Sequence, residues 1–178
     1  MIFDSEIKHD PILERLNVAK YFYLMEYKKH YKDFLTGFKE QDRIIAELFL
    51  FRLWTTQFAF KLFCLNDKVY QLIGSDIVGQ GRTFGKSILH QLENVNIEKV
   101  LNGEFLDLMD ERWVVYDKTF SENKKISDSV PSEKICCNLL SFCNINDKSK
   151  LEWLSKDFEK HLNLIKEEII KLGITKQS

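Results

Sequence analysis

The 178-residue sequence has little of the two residues that most often interrupt regular backbone, with 7 Gly and 2 Pro. This scarcity argues against collagen-like, linker-rich and disordered chains. It also leaves few positions at which a long helix has to end. Because 44% of the residues are hydrophobic and 13% are aromatic, the chain can bury a substantial core. We therefore expect residues 1–178 to form a single helical domain.

The net charge of the chain is close to zero, and it has few cysteines. The formal net charge is -1, so overall electrostatics give no reason to expect a nucleic-acid partner. The N-terminal residues lack the basic stretch and unbroken apolar run of an export signal, and we expect a cytoplasmic location. Three of the four cysteines, Cys136, Cys137 and Cys143, are too close together to tie distant segments by disulfides. We expect them to be reduced and mostly buried.

The longest apolar stretch, residues 44–65, is interrupted by Glu47, Arg52 and Lys61. Each of these charges would cost roughly 2.5 to 3.5 kcal/mol near the centre of a bilayer. The stretch is therefore predicted to be a buried helix rather than a membrane span.

Apolar residues recur at steps of three and four along most of the chain, which is typical of amphipathic helices. The pattern predicts helices over about 10–35, 40–65, 97–120, 133–143 and 149–172, with Gly37 and Gly173 as left-handed stops. Ser149 and Glu152 fit a capping box at the start of the last helix. The polar segment of about 121–132 is predicted to be an exposed loop. These features predict an all-α fold, an antiparallel bundle of five to six helices.

A glycine-rich segment, residues 74–90, contains an incomplete phosphate-binding loop. Its Gly85-Lys86-Ser87 matches the end of that motif, but Gln80 stands where the motif needs its first glycine. The helical pattern of the remaining chain also offers no parallel sheet to support such a loop. Close helix packing or a kink is the structural alternative for these glycines.

The same segment carries a possible basic stripe. If it is helical, Arg82, Lys86 and His90 lie one turn apart and could contact a phosphate or an acidic partner surface. The alternative is a solvated helix face with no ligand.

Polar residues in the apolar second helix form a second candidate site. Glu47, Arg52 and Gln57 must find partners if they are buried, because an unpaired buried polar group costs several kcal/mol. They could pair inside the bundle, line a polar pocket or lie on an exposed face.

Metal and catalytic motifs are incomplete. Acidic residues and histidines lie three or four apart at several places, which include Glu26 with His30, His90 with Glu93, and Asp157 with His161. The paired Glu-x-x-His motifs of di-metal bundles, the Cys-x-x-Cys of zinc sites and the Gly-x-Ser-x-Gly of hydrolases do not occur in the sequence, in which Glu6–His9 is a single Glu-x-x-His. We predict no metal, no cofactor and no catalytic residue.

The abundance of aromatic residues, together with these incomplete motifs, favours a non-enzymatic intracellular interaction protein. An adaptor, a chaperone-like factor or a self-associating subunit would fit, with a protein partner or a second copy of the chain. The alternative is a small-ligand or phosphate-binding protein, possibly an enzyme, that uses residues 74–90 with Arg82, Lys86 and His90.

Overall fold

The structure is a computed structural model that describes residues 30–63, 71, 105–127 and 129–171. All regular structure in these ranges is helical, which confirms the predicted all-α fold. The five helices of the described ranges are α1 (Lys32–Leu35), α2 (Gln41–Phe63), α3 (Phe105–Lys124), α4 (Ser132–Phe142) and α5 (Lys148–Lys171). Within those ranges, no helix combines the length and the apolarity needed to cross a bilayer.

The turn between α1 and α2 has the predicted glycine. Gly37 has a φ of 93°, a left-handed conformation that an L side chain would strain. The helix before it ends at Leu35, as predicted, and Gln41 donates from its side chain to the Leu35 carbonyl over 3.2 Å. Most of the helix predicted over 10–35 lies outside the described residues.

Helix α2 lies at the centre of the bundle, as its apolar character predicts. Nearly all of its side chains from Ile44 to Phe60 are buried, and Trp54 is 2% exposed. Aromatic rings from three helices pack around Trp54: Phe51, Phe58, Tyr116 and Phe158. Burial of such large side chains supplies most of the stabilisation of a helical bundle.

The helix directions follow from pairs of contacting residues. Contacts of α2 with α5 advance together along both helices: Arg52 with Asp157, then Thr56 with His161. Contacts of α2 with α3 do the same: Glu47 with Arg112, then Trp54 with Asp117. Helix α2 is therefore parallel to both of these neighbours, neither of which directly follows it in the chain. Residues 64–104 separate α2 from α3, and parallel neighbours need a long connection of this kind.

Consecutive helices α3, α4 and α5 are antiparallel, as predicted. Contacts between α3 and α4 run in opposite directions: Thr119 with Asn138, and Asn123 with Lys134. The short connection 143–147 joins α4 to α5, and Asn144 has a φ of 55° in this turn. Such a short connection brings the two helices side by side as a hairpin.

The exposed loop is shorter than predicted. The sequence indicated about 121–132, but α3 continues to Lys124 and α4 begins at Ser132. Ser121 to Lys124 are compatible with a helix, and Glu122 lies 4.0 Å from Lys118 one turn earlier. Phe120 packs against Phe58 with ring centroids 4.7 Å apart, which fixes this end of α3 on α2.

The capping box predicted at Ser149 is not the cap that forms. Asp147 accepts hydrogen bonds at Oδ1 from the backbone N–H groups of Ser149 (2.8 Å) and Lys150 (3.2 Å). These are the second and third positions of α5, so Asp147 is the N-cap residue. Glu152 instead pairs with Lys156 one turn later, over 2.8 Å, as its spacing predicted.

Candidate functional site

A buried charge network joins α2, α5 and the residues before α1. Arg52 of α2 donates from Nη2 to Oδ2 of Asp157 on α5 over 2.6 Å, and each side chain is 9% exposed. The same Nη2 lies 2.6 Å from the Tyr31 hydroxyl, which also donates to Asp157 over 3.2 Å. His30 binds the second carboxylate oxygen over 2.7 Å. Three side chains thus hold one carboxylate, and we call His30, Tyr31, Arg52 and Asp157 the Asp157 network.

Ionisation within the Asp157 network follows from these contacts. Burial opposes the charge on Asp157, but the hydrogen bond from His30 and the charge of Arg52 outweigh it, so the pKa of Asp157 is lowered. Burial raises the pKa of Tyr31 far above its usual value. At neutral pH the network therefore holds an ionised aspartate and a neutral phenol.

A neutral histidine lies one turn beyond this network. The side chain of His161 is buried, and burial together with the charge of Arg52 lowers its pKa well below the usual value. Its Nε2 lies 3.1 Å from Oγ1 of Thr56. Because Thr56 donates its own proton to the Arg52 carbonyl over 2.9 Å, its oxygen is placed to accept from His161. The imidazole is held uncharged inside the bundle.

A second ion pair joins α2 to α3. Arg112 donates from Nε to Glu47 Oε2 over 3.0 Å and from Nη2 to Oε1 over 2.9 Å, so two parallel hydrogen bonds form. The guanidinium carbon lies 4.0 Å from the ring centroid of Phe142 on α4. The hydrogen bonds that Arg112 donates to Glu47 raise the pKa of Arg112, which stays charged.

Two buried polar atoms on α3 have no hydrogen-bond partner within the described structure, Trp113 Nε1 and the Tyr116 hydroxyl. Burial and the nearby Glu47 carboxylate raise the pKa of Tyr116. A buried phenol without a partner costs about 1 to 3 kcal/mol.

Buried carboxylates of the described residues are ion-paired, and two buried thiols are protonated at neutral pH. Both buried carboxylates, Glu47 and Asp157, already bind a guanidinium. Burial raises the pKa of Cys136 and of Cys143 to about 12, so both remain thiols at neutral pH. Among the described residues, no three His, Cys, Asp or Glu side chains are grouped so as to hold a metal ion.

A surface groove lies on the outer side of the α4–α5 hairpin and encloses about 330 Å³. One wall is the α5 face from Lys148 to Glu159, formed by Lys148, Leu151, Glu152, Ser155, Lys156 and Glu159. The first turn of α4 supplies Ser132 and Glu133. We call this surface the α4–α5 groove. It combines exposed charges with a single large apolar side chain, Leu151.

The sequence anticipated some of these positions. Internal pairing was one of the three alternatives for Glu47 and Arg52, and the structure shows it. Gln57 is half-buried on the same helix. A ligand-binding role for Glu47, Arg52 and Gln57 stays a prediction. Arg82, Lys86 and His90 lie outside the described residues, as does the whole of residues 74–90.

Other positions were missed or changed. Asp157 was considered only with His161, but it binds His30, Tyr31 and Arg52 instead. Arg112 was not singled out, because its partner lies on a helix far away in sequence. Cys136 and Cys143 are buried as expected, whereas Cys137 is exposed. The groove residues carried no motif in the sequence.

Comparison with known protein families, with curated proteins and with solved structures finds no match to this chain.

Proposed function

We propose that this chain is a non-enzymatic, cytoplasmic helical interaction protein whose partner-binding surface is the α4–α5 groove. The partner is a second protein, or a second copy of the chain. The observation that carries the proposal is the groove itself, a concave surface lined by charged side chains. Concave surfaces with polar rims are common places for specific recognition.

The contacts of the buried charged side chains favour a structural role over a catalytic one. The buried charges of Arg52, Asp157, Glu47 and Arg112 are bound to one another. Such pairs fix the register of packed helices, and each buried charge is compensated within the bundle. A rigid bundle with a charged surface groove is suited to an adaptor or a chaperone-like factor.

The proposal is tested by site-specific photocrosslinking in the native cells. A benzophenone amino acid replaces Glu152 in the groove and, as the control, Lys118 on the outer face of α3. The two side chains are similarly exposed, 68% and 72%. We expect a discrete adduct from the groove position, identified by mass spectrometry and reproduced with the purified partner, and none from the control.

The outcomes separate the two versions of the proposal. An adduct of the chain with itself, together with a dimer in light scattering, supports self-association. An adduct with another protein, together with a strict monomer across concentrations, supports an adaptor. Equal labelling from both positions, or no adduct from the groove, would contradict the proposal.

A further inference from the structure

Only some of the charged side chains of the α4–α5 groove form ion pairs with each other. Lys156 binds Glu152 over 2.8 Å, so this pair is neutralised within the wall. Glu133, Glu159 and Lys148 form no ion pair with other described residues, and Glu133 and Glu159 leave the groove with an excess of carboxylate. A partner that supplies cationic groups would neutralise this excess.

The unpaired charges are also separated in space. Lys148 begins α5, whereas Glu159 lies about 16 Å further along the helix at a rise of 1.5 Å per residue. Glu133 belongs to the first turn of α4, which is antiparallel to α5 and so lies towards the Glu159 end. The groove therefore has a positive end at Lys148 and a negative end at Glu133 and Glu159.

The negative end also offers hydrogen-bond donors. Helix α4 begins after Pro131, whose side chain cannot accept a hydrogen bond, and the helix has no side-chain cap. The backbone N–H groups of Glu133 and Lys134 have no acceptor among the described residues. Free N–H groups at a helix start bind water or an acceptor from a ligand. A simple amine would satisfy the carboxylates but not these donors, whereas a peptide supplies both a cation and carbonyl oxygens.

We propose that the α4–α5 groove binds an extended segment of the partner protein that carries Lys or Arg near Glu133 and Glu159 and Asp or Glu near Lys148. At about 3.3 Å per residue, a 16 Å groove places the two charges four or five residues apart. This inference rests on the proposed function and specifies the chemistry of the partner segment.

The experiment measures fluorescence polarisation of labelled peptides on the full-length chain. The peptides carry one Arg and one Glu separated by two to seven positions, in both orders, with Ala, Ser and Gly elsewhere. We expect the tightest binding at a separation of four or five, in one of the two orders. Peptides with two Glu should bind at least tenfold more weakly than the preferred Arg/Glu peptide. Binding of the preferred peptide should weaken as the NaCl concentration increases.

Charge reversal in the groove provides the specificity test. Glu133→Lys with Glu159→Lys should weaken binding of the preferred peptide at least tenfold and should favour peptides whose Arg is replaced by Glu. Glu122→Lys with Glu167→Lys changes the same charge on exposed positions outside the groove and should leave binding unchanged. All four positions are exposed, so the variants should fold, and thermal melts check this directly.

The inference is overturned if no peptide binds, if both double variants weaken binding equally, or if charge separation has no effect. Its failure is distinguishable from that of the proposed function. A crosslinked partner that docks in the groove through a segment without this charge pattern would remove the inference and leave the interaction role intact. Absence of any groove adduct would remove both.

Discussion

Arg52 and Asp157 lie on parallel helices, and the 2.6 Å hydrogen bond between their side chains is almost shielded from solvent. The carboxylate also binds His30 and Tyr31, so one ion pair fixes α5 against both α2 and the residues before α1. Such an arrangement sets the register between helices, because a slip by one turn would leave two buried charges unpaired.

Removing one member of the Arg52–Asp157 pair should strongly destabilise the fold. Arg52→Met leaves Asp157 buried without its guanidinium, and we expect the free energy of unfolding to fall by about 3 to 5 kcal/mol. Urea denaturation followed by circular dichroism measures this loss. The double variant Arg52→Met with Asp157→Leu removes both charges and should be more stable than Arg52→Met alone. A single variant within about 1 kcal/mol of the wild type would contradict the structural role assigned here.

The Glu47–Arg112 pair depends on the shape of the guanidinium. Arg112→Lys keeps the charge but loses the two parallel hydrogen bonds and the planar contact with Phe142, so we expect the free energy of unfolding to fall by about 1 to 3 kcal/mol. Arg43→Lys is the matched control, because Arg43 is 45% exposed, pairs at the surface with Glu40 through a single hydrogen bond and donates one more to the Phe142 carbonyl over 2.9 Å. It should change stability by less than about 1 kcal/mol. Equal effects from the two substitutions would show that the paired geometry is unimportant.

The start of α5 offers a direct comparison of two possible caps. Asp147 accepts two backbone hydrogen bonds, whereas the Ser149 hydroxyl only donates to Asp147 over 2.7 Å. Asp147→Ala should therefore lower the melting temperature more than Ser149→Ala. Hydrogen bonds from Ser149 and Lys150 lower the pKa of Asp147, so its stabilisation is present above the unfolded pKa and is lost as pH falls through the folded one. If Ser149→Ala lowered the melting temperature more than Asp147→Ala at neutral pH, Ser149 rather than Asp147 would be the main cap of α5.

The sequence predicted those parts of the fold that depend on neighbouring residues. The three- to four-residue spacing of apolar side chains located α2, α4 and α5 within a few residues, and the freedom of Gly37 to adopt positive φ located the turn before α2. The cap of α5 was misassigned because Asp147 and Ser149 are comparable N-cap residues and lie two positions apart. Only the backbone geometry decides between them.

Contacts between segments that are distant in sequence could not be predicted from the spacing of neighbouring residues. Glu47 and Arg112 are 65 residues apart, and Arg52 and Asp157 are 105 apart. Periodicity identifies which side of a helix is buried, but it does not specify which neighbour packs there or in which direction. The α4–α5 groove exists only once two helices are side by side, so no single segment carried its signature.

The buried His161 should make the fold sensitive to mild acid. Because burial keeps the folded-state pKa of His161 well below 6.5, the unfolded chain takes up this proton first as pH falls below about 6.5. The free energy of unfolding should then decrease with falling pH, by up to about 2 kcal/mol between pH 6.5 and 5.0. His161→Gln can still hydrogen-bond to Thr56 but does not titrate, so it should lose correspondingly less stability over this range. Carboxylates affect both proteins alike, and the difference between their urea unfolding curves at pH 7.5 and 5.0 isolates the histidine. If the stability difference between wild type and His161→Gln is the same at both pH values, His161 takes up a proton as readily in the folded chain as in the unfolded chain.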